Sequence, residues 1–495
     1  MISKPIPYGR QHITDEDIRA VIDTLKSDYL TQGPKIREFE TKFAEYVGAQ
    51  YAVAVNNATS GLHLAATALN VKPGDKVIVT PMTFAASANC IRYCGGEVVF
   101  CDIDKDTYLM DIRKLEAMLK ASPRGTYKGI VPVDFAGYPL DLEEFRKLAD
   151  EYGLWIIEDA CHAPGGYFMD SKGKKQHCGN GCFADCAVFS FHPVKHIATG
   201  EGGMVTTNSK ELYDKLCLYR THGITKDPAL LHEHHGGWYY EMQELGYNYR
   251  LTDFQAALGI SQLERAKAGL ERRHEIVRRY NEAFSGIDGI KTPFNTADVY
   301  HAYHLYIIQV ADRLGLYNYL HENNVYAQVH YAPLHLMPYY QQWGNRKGDL
   351  PIVEEYYEHL DQKRNMMNAS SNFDIIFSVL TALREEKQVK IHTPGVNGEI
   401  GGYPIIIDGV TATAKFDESV WTIDQMRKAN RESIYCDGVE NITDATLVYT
   451  DELVAKVKKS FNVDLPKSVK FVDIENVADL IINQIIKPQV LIFVQ

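Results

Sequence analysis

From Ile13 to about Ala266, short β-rich runs alternate with longer amphipathic helical patterns, and this alternation limits the fold more than any other feature. Tyr51 to Asn56 (YAVAVN) reads as a strand, followed by a helix over Ser60 to Leu69. Lys76 to Thr80 is a second strand, and Phe84 to Tyr93 is the next helix. Val98 to Asp102, Gly129 to Asp134, Leu154 to Glu158 and Ala187 to Phe191 continue the strands, with a helix at Leu142 to Tyr152. Strands that are apolar along nearly their whole length are buried on both faces, as in a parallel sheet covered by helices on each side. Such sheets gather ligands at the carboxyl ends of their strands, so the chemistry is expected just after each strand.

The chain has 495 residues, and a single core stops growing at about 250–300. A helical stretch from Asp253 to Phe284 leads into a smaller α/β unit. That unit reads as the apolar run His304 to Val310, a helix at Leu314 to Asn323 and a strand at Tyr326 to Tyr331. Asp361 to Phe373 is polar and aperiodic, a linker or loop. Beyond it, helices are expected at Ile375 to Glu385, Thr422 to Arg431, Asp451 to Ser460 and Ile474 to Ile486, with a strand at Val389 to His392 and a turn-rich break at Gly398 to Pro404. The expected division is a large domain over 1–270, a small one over 271–360 and a tail of unassigned character over 361–495.

Charge and cysteine usage exclude several classes. A formal charge of -12 suits a dedicated nucleic-acid binder poorly, since such affinity comes from Lys and Arg neutralising phosphates. No apolar run approaches the roughly 20 residues that cross a bilayer, and Met1 to Gln11 lacks the apolar core of a signal peptide. Nine cysteines without a repeating framework point to a reduced, cytoplasmic protein. Cys178, Cys182 and Cys186 recur at four-residue spacing, which is not C-x2-C, and no metal is expected there or at His232, His234 and His235.

Three segments carry chemistry. In Phe189-Ser190-Phe191-His192-Pro193-Val194-Lys195-His196, followed by Gly200-Glu201-Gly202-Gly203, a lysine just past a strand is placed to form a Schiff base. That role requires partial desolvation and a nearby electron sink; taken alone, a solvated surface lysine is the commoner reading. Leu154 to Glu158 runs into Asp159, with His162 three residues on. A pyridoxal phosphate ring acts as a sink while its nitrogen stays protonated, and a carboxylate such as Asp159 maintains that state. The bland alternative is an N-cap aspartate. In Asn56-Asn57-Ala58-Thr59-Ser60-Gly61, free amides and hydroxyls at a helix start suit a phosphate, although Ser and Thr are also ordinary caps. Phe84 follows the next strand and could stack on a planar ring or sit in the core.

Taken together, Asn57-Ala58-Thr59-Ser60, Thr83-Phe84, Glu158-Asp159, Ser190-Phe191-His192-x-x-Lys195, Gly200-Glu201-Gly202-Gly203 and Gly246-Tyr247-Asn248-Tyr249-Arg250-Leu251-Thr252-Asp253 resemble the DegT/DnrJ/EryC1/StrS sugar aminotransferases over about Lys4 to Leu360. The resemblance implies a fold type I aminotransferase: an α/β protein with a mostly parallel central sheet, a smaller C-terminal α/β domain and, here, an additional α/β-like tail. It implies pyridoxal 5'-phosphate as cofactor and Lys195 as the Schiff-base and proton-shuttling residue. Asp159 would pair with the ring nitrogen, His162 would lie on the hydroxyl side and Phe84 on the ring face. Ala58, Thr59 and Ser190 would hold the phosphate, with Asn248 reaching it across a homodimer interface. Tyr8, Tyr29, Thr31, His330 and Tyr331 match positions near the nucleotide sugar.

Some relatives carry histidine in place of the lysine and are dehydratases; Lys195 favours transamination. Tyr29-Leu30-Thr31-Gln32-Gly33, Val131 to Gly137 and Gln328-Val329-His330-Tyr331-x-Pro333 are most similar to members that aminate C4 of a UDP-linked 4-keto-6-deoxy-hexosamine, from L-glutamate, on the way to pseudaminic acid. Another UDP- or dTDP-4-keto sugar, or a non-catalytic pyridoxal-phosphate-binding regulator, is the alternative. The resemblance ends at Leu360, before the short strand and last helix that normally finish the small domain. That truncation would leave an unpaired sheet edge unless the tail covers it.

Overall fold

The computed structural model describes residues 5–358, apart from 288 and 311, and five short strands in the tail between 406 and 493. The linker at 361–373 and the expected tail elements at 375–385, 389–392, 398–404, 422–431, 451–460 and 474–486 lie outside the described residues. No helix among the described residues is long and apolar enough to cross a membrane.

Seven strands form the central sheet: β1 (Tyr51–Val55), β2 (Lys76–Val79), β3 (Glu97–Phe100), β4 (Tyr127–Val131), β5 (Trp155–Asp159), β6 (Cys186–Ser190) and β7 (Gly203–Thr207). Their order is β1-β7-β6-β5-β4-β2-β3. From β6 through β3 the ladders are parallel, and β7 runs antiparallel to both its neighbours. Successive residues of a strand face opposite sides. In β6, Val188 accordingly packs with Leu62 and Ile91, while Ala187 and Phe189 pack with Phe39 and Phe43. This two-sided burial is the reason these strands read as continuous apolar runs. The helix predicted over Leu142 to Tyr152 has those bounds, and the other expected strands and helices of this sheet shift by one to three residues at their ends.

The stretch Asp253 to Phe284 is two helices, Asp253–Glu264 and Ala266–Phe284, with Arg265 between them. Fully buried Asp17 accepts hydrogen bonds from Ser261 Oγ (2.6 Å), Gln262 Nε2 (2.8 Å) and Arg265 Nη2 (2.5 Å), which pins this junction to the first helix, Asp15–Leu25. The strand expected at Tyr326 to Tyr331 does not form. Among the described residues, bridge positions occur at Val325, paired with Ile6 through Ile6 N to Asn324 O and Tyr326 N to Ile6 O, and at Gln328, but no continuous strand joins them. His330 and Tyr331 then turn into a pocket. The run His304 to Val310 is a strand only from Ile307, since Ala302 and Leu305 instead donate their amides to Gly137 O and Ala136 O.

In the small unit Ile307–Val310 pairs antiparallel with Ile290–Lys291 on one side. On the other it pairs with Leu491–Phe493, in the register Ile307↔Phe493, Ile308↔Ile492 and Gln309↔Leu491. The edge that the truncation would expose is therefore covered by backbone from the end of the tail.

Candidate active site

Asp159 is the last residue of β5, at the carboxyl end of the sheet. Its amide donates to Pro132 O (3.0 Å), and its carbonyl accepts from Asp134 N (3.1 Å), so the backbone is fixed on both sides. The carboxylate, in a residue 5% exposed, accepts from Ser87 Oγ at 2.6 Å and from Cys161 N at 3.1 Å. Ser87 escaped the sequence reading. The available signal was its spacing of four from Thr83, whose hydroxyl lies 2.7 Å from Ser87 Oγ.

Lys195 follows β6 in a turn closed by its own amide on His192 O (2.8 Å). Its ammonium is desolvated, which lowers its pKa from the ordinary lysine value; Cys161 and Asp159 oppose that shift. Lys195 Nζ lies 3.4 Å from His304 Nε2. The His304 ring is 4.4 Å from that of His162, whose Nδ1 accepts from Ala136 N (3.2 Å). His196 Nε2 donates to Ala302 O (2.8 Å). Burial, followed by the charge of Lys195, drives the pKa of His162 and His304 well below the free imidazole value. His330 falls to about 3 for the same reasons in the same order. His304 was legible in the sequence only as the start of an apolar run; its place beside Lys195 comes from the turn that breaks that run.

At the opposite end of the pocket, Ala58 and Thr59 open the helix Ala58–Ala68, whose N-cap Asn57 accepts from Ser60 N (2.8 Å) and Ser60 Oγ (3.1 Å). Ser190 lies across the ladder from Gly203, and Gly203 pairs on its other side with Val55. A Cβ on Gly203 would stand 2.8 Å from Ala58 N, so only glycine lets the strand approach this helix start. Ala58, Thr59 and Ser190 are thereby brought to one cradle. The segment carrying Asn248 runs beside it, because Tyr249 O accepts from Asn56 N (2.9 Å), and Asn248 itself is exposed.

Of the expected substrate residues, three reach the lysine pocket. Tyr8 Oη is 2.9 Å from His330 Nε2, and the ring of Tyr331 lies 5.9 Å from Phe135, which in turn lies 6.1 Å from His162. Tyr29 and Thr31 lie elsewhere, on the exposed segment between the first two helices, where Thr31 bridges to Thr252. Among the described residues no contact joins them to Lys195. Phe84 is 62% exposed, while its carbonyl accepts from Ser87 Oγ at 3.3 Å.

A desolvated lysine, a buried carboxylate on a neighbouring strand end and a helix start open to an anion fit pyridoxal 5'-phosphate, whose ring nitrogen, aldehyde and phosphate need those three partners. Fold and site together define a fold type I aminotransferase. The DegT/DnrJ/EryC1/StrS aminotransferase family pattern matches residues 11–361. The chain is 39% identical over 391 residues to the spore coat polysaccharide biosynthesis protein SpsC of Bacillus subtilis, covering 77% of this chain and 96% of that protein. It is 37% identical over 393 residues to a UDP-4-amino-4,6-dideoxy-N-acetyl-beta-L-altrosamine transaminase of Campylobacter jejuni, covering 77% and 99%. The PLP form of a putative sugar aminotransferase, Spr1654 from Streptococcus pneumoniae, superposes with a TM-score of 0.64 at 30% identity, over 77% of this chain and 99% of that one. The chain belongs to the DegT/DnrJ/EryC1/StrS family of pyridoxal-phosphate-dependent sugar aminotransferases.

Proposed function

We propose that the protein transfers the amine of L-glutamate to C4 of a UDP-linked 4-keto-6-deoxy-hexosamine, UDP-2-acetamido-2,6-dideoxy-beta-L-arabino-hexos-4-ulose, in the manner of pseudaminic acid synthesis. The placement of a desolvated Lys195 beside the Asp159 strand end carries the reading. The cofactor, when bound, supplies an electron sink that takes up the donor's amine and passes it to the ketone carbon. Asp159 holds a proton on the ring nitrogen, with Ser87 and Cys161 N fixing the carboxylate. Lys195 is the catalytic residue that moves the proton at C4; desolvation lowers its pKa and so makes the free amine more accessible than on a solvated lysine. With the cofactor bound, Ala58, Thr59 and Ser190 would hold its phosphate, His162 would contact its hydroxyl side, and Phe84 would stack on its ring.

Tyr8, His330 and Tyr331 line the sugar side. Tyr29 and Thr31 would join them only when a second copy closes the site, as would Asn248 for the phosphate. Exposed Tyr29, Leu30, Trp238, Met242 and Leu245 support such a homodimer. The large and small domains fall at 1–270 and 271–360, with 361–495 as an additional segment whose last strand completes the small sheet.

The test is the visible spectrum of the purified holoenzyme. A band that bleaches with L-glutamate and returns with the UDP-keto-sugar supports the reading. Indifference to both refutes it and favours a regulator, while return only with dTDP sugars moves the substrate. Lys195→Ala should retain the cofactor and lose turnover by more than about 10²–10⁴-fold; normal turnover would sink the assignment.

A further inference from the structure

On the face of β5 opposite to Asp159, where its neighbour Glu158 points, three fully buried groups from separate segments converge. Asp134 follows β4, Glu158 precedes Asp159 in β5, and Cys178 lies in the loop before β6. One donor atom from each lies within 4.8 Å of the others. Asp134 Oδ1 accepts from Leu140 N (2.9 Å), and Oδ2 has no partner in ordinary hydrogen-bond geometry, with Glu158 and the Cys178 thiol as its neighbouring possible donors. Both oxygens of Glu158 share a single donor, Gly179 N, at 3.0 Å. Two amides for two carboxyl groups in a dry interior are far fewer than two anions need. Among the described residues, the leading titratable influences on the pair besides each other are Asp159 on β5 and Cys178 on the loop, neither of them a cation. Burial raises both carboxyls, Asp134 and Glu158, above the ordinary carboxylate range, and their mutual repulsion adds to the rise for Glu158.

We propose that Asp134 and Glu158 share one proton, and that this buried pair, carrying a single negative charge, is a positioning dyad for Asp159 in the cofactor reaction. The proton answers the unpartnered Oδ2: a protonated Glu158 donates to it, or the reverse, and the pair needs no further donor. The backbone couples the dyad to the reacting centre, since Asp134 N donates to Asp159 O and Glu158 is the preceding residue in the strand. One residual charge behind Asp159 favours the positive charge that Asp159 faces, whereas two would be too costly to bury. A cation bridging the three groups is the competing occupant. The single amide that Glu158 takes on both oxygens leaves lone pairs open to either occupant, so the measurements below decide between the proton and the cation. The role toward the cofactor rests on the assignment of Asp159 given above; the shared proton does not.

Two measurements separate these parts. Infrared difference spectra of the full-length protein without cofactor, comparing wild type with Glu158→Gln and Asp134→Asn, should show a protonated-carboxyl band at neutral pH that both substitutions remove. Absence of that band overturns the shared proton, as does a stoichiometric divalent cation that survives dialysis in wild type and is lost in the variants. In the holoenzyme, each single amide keeps one negative charge, so its spectrophotometric pH titration should stay within about 0.3 unit of wild type. The double variant Asp134→Asn/Glu158→Gln loses that charge, and its titration should move to lower pH by about half a unit to one unit. A double variant that titrates like wild type overturns the positioning role. If the infrared band is present but the holoenzyme shows no cofactor band to titrate, the assignment of Asp159 fails and the proton-sharing pair stands.

Discussion

Ser87→Ala tests the geometry of the cofactor end most directly, because it removes one hydroxyl and leaves Asp159 unaltered. The hydroxyl lies 2.6 Å from Asp159 Oδ2, and Ser87 is fully buried. Hydrogen bonds to charged groups contribute about 1.5–3 kcal/mol, so that much is lost when the carboxylate keeps only Cys161 N as a described donor. Alanine returns about 0.5 kcal/mol in helix propensity, since Ser87 sits in the helix Ala86–Tyr93. The net cost is about 1–2.5 kcal/mol. Urea unfolding of the apo-protein at pH 7 measures it, and a cycle with Asp159→Asn isolates the charged part. In the Asp159→Asn background the same deletion should cost less by about 1 kcal/mol, because a neutral amide oxygen is the weaker acceptor. Equal costs in the two backgrounds would mean that Ser87 serves the helix alone, and the description of Asp159 as a carboxylate held by its hydroxyl would be wrong.

Gly203→Ala should reduce cofactor affinity at least about tenfold in apo-protein titrations with little change in fold, because the new Cβ would meet Ala58 N at 2.8 Å and displace a cradle amide. His301 Nδ1 accepts from Tyr303 N at 2.9 Å, and burial lowers the pKa of this histidine to about 3. The unfolded chain therefore binds the proton first, and stability present above about pH 6.5 is lost as pH falls toward 3, at up to about 1.4 kcal/mol per pH unit; His301→Gln should flatten the slope of urea midpoint against pH by about one proton, and an unchanged slope counts against it. Deleting residues 491–495 removes the strand paired with Ile307–Gln309, and hydrogen exchange should rise at those amides while the central sheet stays protected. Protection unchanged at Ile307 to Gln309 would show that the edge does not depend on this strand.

The central sheet was legible because burial on both faces writes itself into the chain as unbroken apolar runs. Asp159 and Lys195 were legible because strand ends are where such a sheet presents its chemistry. Residues that act from within helices or turns left no comparable mark. Ser87 is one hydroxyl in a short helix that also carries Asn89 and Arg92, and His304 is the first residue of what reads as a strand. The false strand at Tyr326 to Tyr331 has the same origin. Its composition suits a ladder, but among the described residues only isolated bridge positions form, at Val325 and Gln328, and His330 and Tyr331 contact Tyr8 and Phe135 instead. The covering of the small sheet's edge could not be read either, since Ile307–Val310 and Leu491–Phe493 are almost two hundred residues apart in the chain and nothing local specifies such a pairing.

The histidines around Lys195 bind reactivity and acid stability to one cause. Each supplies hydrogen-bonding atoms without adding charge, because burial holds it neutral. A neutral ring beside Lys195 Nζ can exchange a proton with it, whereas an imidazolium would repel its ammonium and offer no acceptor. The same desolvation means that each ring charges more readily in the unfolded chain, so the protein must become less stable as pH falls through the histidine range. Replacing these residues with permanently neutral ones would remove the acid sensitivity but also the group nearest the lysine. His304→Gln should therefore raise the urea midpoint at pH 5 relative to wild type while lowering kcat at pH 8. A variant that improves acid stability at no cost in kcat would show that His304 only fills space beside Lys195.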